Sequence, residues 1–167
     1  MSATLFIRHG GLRAFWASFA LCTLLALGCT KHEDHAQESP GHAHQPKNGG
    51  QLVEVGRHQY NIEVLVDAPK GKVTAWFLDA HAEDYVRIPA PSLRMTANVG
   101  NEPKEVVLAA VVNPASGEKV GDTSQFEGAA DWLKNLPSFS GAFQDVSIRG
   151  TSFGHVTFRH GAPSQAK

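Results

Sequence analysis

Nine histidines in 167 residues are the side chains best suited to chemistry in this chain. Neutral imidazole is a good ligand for Zn, Cu and Ni, so the spacing of these rings matters. His32, His35, His42 and His44 crowd one polar stretch together with Glu33, Asp34 and Glu38. His42 and His44 fall on the same side of an extended chain, an arrangement that captures metal ions weakly. The bland alternative is a polar linker that collects His, Glu and Gln because they stay solvated. His58 and His81 make a sharper pair. If the strands carrying them pair in the register derived below, their Cβ atoms stand about 5 Å apart. Both rings then reach one Cu or Zn ion, with Asp79 one pair further in as a carboxylate ligand. The competing reading is a His–His contact or a His–Asp hydrogen bond closing the rim of the core. Neighbouring imidazoles also disfavour each other's protonation, so a pH sensor is a third reading.

Other chemistries lack their residues. There is no His-Glu-x-x-His pattern, no Gly-x-Ser-x-Gly and no phosphate-binding glycine loop. His155 and His160 are five apart and fall on opposite faces of a strand, so they are no pair by themselves. The sequence therefore reads as non-enzymatic.

The elements that must position the histidines are strands. His58–Asp67 alternates apolar and polar residues, and Lys72–His81 follows it across a Pro-Lys-Gly turn. With Ala68–Gly71 as a four-residue loop, Asp67 faces Lys72, and the inward pairs are Val66/Val73, Val64/Ala75 and Ile62/Phe77. Tyr60/Asp79 and His58/His81 continue the same face. Gln51–Val55, Val86–Ile88, Leu93–Val99 and Glu105–Val112 are further strand candidates, and Ala142–Arg149 with Ser152–His160 make a hairpin around Gly150. The stretch at 128–135 is the one helical-looking piece, ended by Pro137. Short strands between Gly/Pro turns predict an all-β fold, a single small β-sandwich of immunoglobulin-like architecture with one short helix near 128–135. The expected organisation is a signal peptide at 1–28, a lipidated His-rich disordered tether at 29–50, a β-sandwich domain at 51–162 and a tail at 163–167.

The signal and lipid anchor rest on the N-terminus. Arg8 and Arg13 precede an apolar or small stretch from Ala14 to Leu27 that closes on Leu25-Ala26-Leu27-Gly28-Cys29. At 1.5 Å per residue that run covers about 21 Å, short of a bilayer core of about 30 Å. It reads as an export signal rather than a transmembrane helix. The ending resembles the lipobox of bacterial lipoproteins, with Ala26 where Leu is more usual. The resemblance implies that Cys29 is acylated, with palmitate-like chains, and becomes the first residue of the mature chain. Without an Asp after Cys29, it also implies the outer membrane, on the periplasmic side of the envelope. Cys22 leaves with the signal, so the mature domain has neither a free thiol nor a disulfide. The mature chain is slightly acidic, which gives no footprint for nucleic acid.

Asn48-Gly49-Gly50, then Gly56-Arg57-His58, then the apolar strand containing Glu63 is similar to a segment of small periplasmic β-domains. These occur in lipoproteins and at the front of heavy-metal efflux adaptor proteins. Many of them carry a His before the Gly-Gly, where this chain has Asn48. The resemblance implies a metal-related envelope role alongside a transport complex. The expectation is a membrane-anchored lipoprotein that binds or presents Cu or Zn, partnered by the membrane through its lipid. The alternative is a structural or protein-interaction β-sandwich without metal.

Overall fold

The computed structural model describes residues 44–100 and 102–161. Its strands are β1 (Gln51–Val55), β2 (Tyr60–Asp67), β3 (Lys72–Asp79), β4 (Ser92–Val99), β5 (Glu102–Val111), β6 (Gln125–Ala129), β7 (Phe139–Ile148) and β8 (Thr151–His160). All pair antiparallel in one sheet of order β1-β2-β3-β6-β5-β4-β7-β8. The fold is all-β, as the strand spacing predicts. Its ladder is continuous rather than split into two bonded sheets, and the sheet curls to a nearly closed, barrel-like form around one core.

The β2–β3 hairpin keeps the register derived from sequence, with Val66 opposite Val73, Val64 opposite Ala75 and Ile62 opposite Phe77. Its loop is a short 3-10 turn, Ala68–Lys70, which Asp67 caps by accepting the Lys70 N–H. Gly71 closes the turn at φ 63°, in the left-handed region where glycine carries no Cβ penalty. Inward residues from every strand fill the core. The ring of Phe77 meets that of Phe126 edge-on at 5.7 Å, and Phe143 stacks on Phe158 at 5.2 Å. Burial of each such side chain stabilises the fold by about 1.5–3 kcal/mol.

Two sequence expectations change. The short helix near 128–135 is a single 3-10 turn at Asp131–Leu133, and Gly128 and Ala129 belong to β6. The small residues serve strand packing: a Cβ on Gly128 would stand 2.7 Å from the Val107 carbonyl oxygen. Val86–Ile88 is extended but joins the sheet only near isolated bridges, Leu78 with Tyr85 and Ile88 with Thr123. It still buries Val86 and Ile88 in the core. No helix among the described residues is long and apolar enough to cross a membrane.

Candidate metal centre

The β2–β3 ladder ends at Tyr60 and Asp79. Beyond it the two chains part. On the β2 side, Gly56–Gln59 turns back to β1, with Arg57 and His58 at φ 50° and 63°. His58 therefore stands in a turn, not on a strand. Its backbone N–H donates to Glu54 Oε1 at 2.8 Å, and its Nδ1 lies 3.2 Å from Glu54 Oε2. The expected ladder pairing of His58 with His81 does not form, because Val55 pairs with Tyr60 and leaves His58 in the connection. Glu54 takes the place of His81 as its partner.

On the β3 side, Asp79 builds the turn that presents His81. Asp79 Oδ1 accepts the N–H groups of Glu83 at 2.8 Å and Asp84 at 3.2 Å. The Asp79 N–H in turn donates to the Asp84 carbonyl. Burial pushes the Asp79 carboxyl upward, but the Glu83 and Asp84 N–H donors and the nearby His81 outweigh it and hold it below the ordinary aspartate value. Asn61 Nδ2 ties the base of the turn, donating to the Asp79 and Ala80 carbonyls at 3.0 Å each. Asp79 is thus engaged by backbone donors, and His81 is left exposed on the loop.

The ring that meets His81 is that of His44. Their centres are 5.5 Å apart and their planes are inclined at 68°. Two imidazoles sharing one tetrahedral ion hold their ring centres about 5 Å apart, given Zn–N bonds of about 2.0–2.1 Å. Among the described residues no set of three or more His, Cys, Asp or Glu side chains converges, so this is a two-histidine arrangement. Cys29, His32, His35 and His42 lie outside the described residues.

His44 arrives there through a feature that periodicity does not reveal. Composition places residues 47–50 in a disordered tether, yet they are bound to the outer face of β2 by Glu63. That carboxylate is fully buried. Oε1 accepts the backbone N–H of Asn48 at 2.7 Å and of Gly50 at 2.9 Å. Oε2 accepts the Lys47 N–H and Asn48 Nδ2, both at 2.9 Å. Four donors to one carboxylate satisfy a charge that would otherwise be costly to bury. Gly50 must be glycine for the strap to lie this close, since a Cβ there would stand 2.6 Å from the Val64 carbonyl oxygen.

The loop of His81 closes over the strap from the other side. Tyr85 donates its hydroxyl to Asn48 Oδ1 at 3.1 Å. The Lys47 ammonium lies 4.9 Å from the centre of the Tyr85 ring and donates to the Glu83 carbonyl. Beside them is a groove of about 380 Å³, lined in part by Asn48, Trp76, Tyr85 and Arg87. Gly49-Gly50 and Glu63 belong to one sequence motif whose members lie thirteen and fourteen residues apart. The link is that Glu63 binds the strap containing the glycines.

Comparison with protein families, with characterised proteins and with solved structures finds no match to this chain.

Proposed function

We propose that this protein is a lipid-anchored lipoprotein of the bacterial envelope, without enzymatic activity, whose β-domain binds one transition-metal ion between His44 and His81. The observation that carries the reading is the 5.5 Å approach of these two rings, one from the strap and one from the Asp79–Asp84 turn. Imidazole pairs favour Cu(II) or Zn(II) over harder cations. Two protein ligands leave the remaining positions to water or to a donor from another molecule. That suits an ion being held and handed on, as to an envelope transport complex, better than one locked into a structural site. Asp79 acts by shaping the turn and by its charge beside His81. The signal-like segment ending at Cys29 supports lipid anchoring on the periplasmic side, at the outer membrane.

The test is calorimetric titration of the full chain with Zn(II) and Cu(II), alongside His44→Ala, His81→Ala and His58→Ala. Binding with one ion per chain should be lost in the first two variants and kept in the third. Equal affinity in all four proteins would overturn the two-histidine site. Absence of any binding would favour the protein-interaction module instead.

A further inference from the structure

We infer that Glu63 is the positioning residue of the His44–His81 site, and that docking of the strap on Glu63 and metal binding are one linked equilibrium. The inference rests on the reading that these two histidines bind a metal, and adds what holds them together. His44 itself belongs to no strand. Three residues on, the chain is fixed to the sheet through Lys47, Asn48 and Gly50, whose four donors all converge on the one buried carboxylate of Glu63. His81 is fixed independently, by the Asp79 turn. The approach of the rings therefore needs the strap in place.

Side-chain acceptors, not a strand ladder, hold the strap. It has no ladder partner, being the segment before β1, and Lys47 and Gly49 are exposed. Apart from Glu63, its polar contacts among the described residues are those to the His81 loop: Tyr85 with Asn48, and Lys47 with Glu83. Both sides of the metal pair are thus tied to Asn48 and Lys47. An ion that binds only the docked form stabilises docking by the same factor by which docking favours the ion. Glutamine cannot replace Glu63, because its amide nitrogen would present a donor where all four partners are donors.

The experiment uses hydrogen exchange and Zn(II) titration on the full chain, with Glu63→Gln and Asn48→Ala as test variants and His44→Ala as control. Retained near-ultraviolet circular dichroism in each variant reports that the sheet is folded. Without metal, the Lys47, Asn48 and Gly50 amides should be protected in the unaltered protein and in His44→Ala, and lose protection in Glu63→Gln. At free Zn(II) about 100-fold above its dissociation constant, their exchange should slow by up to about 100-fold in the unaltered protein and not at all in His44→Ala. Zn(II) affinity should fall by about tenfold or more in Glu63→Gln, and by less in Asn48→Ala, which removes one of the four donors.

If Glu63→Gln unfolds the sheet, the less disruptive Asn48→Ala decides: unchanged strap exchange and unchanged affinity there overturn the inference. Histidine-dependent binding that survives undiminished in a folded Glu63→Gln overturns it too, while leaving the metal reading intact. Protected strap amides with no Zn(II) binding in any protein overturn the linkage by removing the metal reading itself.

Discussion

The backbone N–H of Gly50 donates at 2.9 Å to Glu63 Oε1, on a side chain with no solvent-exposed surface. This contact joins residues thirteen apart in sequence and fixes the segment before the first strand to the outside of the second. In Glu63→Gln the amide oxygen still accepts, but the NH2 group faces two of the four donors and leaves them without an acceptor. Glu63→Gln should therefore lose about 3 kcal/mol in urea denaturation, within the range for breaking a buried charged network. A loss under about 0.5 kcal/mol, typical of surface substitutions, would contradict this role.

Gly49 and Gly50 are adjacent but do different work. Gly49 sits at φ 79° with open space around it, so alanine there meets only the left-handed backbone penalty of about 1–2 kcal/mol. At Gly50 a Cβ would meet the Val64 carbonyl carbon at 2.8 Å as well as its oxygen, so alanine must push the strap off the sheet. Faster exchange of the Asn48 amide is expected in Gly50→Ala and not in Gly49→Ala. Equal exchange in both variants would contradict the close approach.

Acid should act first through His160 and, at lower pH, through carboxylates held below their ordinary values, Asp79 and Glu118 among them. His160 packs against Phe139 at 5.3 Å between ring centres, and burial lowers its pKa from the ordinary 6.5. Its contribution to stability is complete above 6.5 and is lost as pH falls through the lower folded value. Asp79 behaves likewise from 3.8 downward. Titration followed by NMR should place each folded midpoint below its ordinary value, and His160→Phe should remove the acid loss that sets in below 6.5. A His160 midpoint above 6.5 would contradict its burial.

Anchoring can be separated from everything the β-domain does. Expressed in a bacterium with its own signal, the chain should partition into the detergent phase, and mass spectrometry should find acyl chains on Cys29. Cys29→Ala should leave an unacylated protein in the aqueous phase. Acyl-free native protein in the aqueous phase would contradict the lipoprotein assignment.

Much of the sheet is legible in the sequence, because period-2 alternation and a short turn together fix register. The pairing of Ile62 with Phe77 follows from the Ala68–Gly71 loop alone. β6 is not legible, since Gly128 and Ala129 carry too little side chain to show alternation and their Gly-Ala-Ala run reads as a helix start. The centre is half legible. His44 and His81 are each visible as candidates, but His81 invites pairing with His58 because the alternation of β2 continues past its true end. The turn that removes His58 depends on left-handed backbone at three successive residues, Gly56, Arg57 and His58. The strap stays hidden for another reason. It is held by hydrogen bonds to one buried carboxylate and not by apolar burial, the quantity a composition argument weighs.

The most direct test of the two-histidine site is electron paramagnetic resonance of one equivalent of Cu(II) bound to a chain in which His32, His35 and His42 are replaced by alanine. This removes three neighbouring imidazoles of the polar stretch and keeps His44 and His81, with His9, His58, His155 and His160 elsewhere in the chain. Superhyperfine splitting from two imidazole nitrogens is expected, falling to one on His81→Ala. A spectrum without coordinated imidazole, or one that His81→Ala leaves unchanged, would contradict the site.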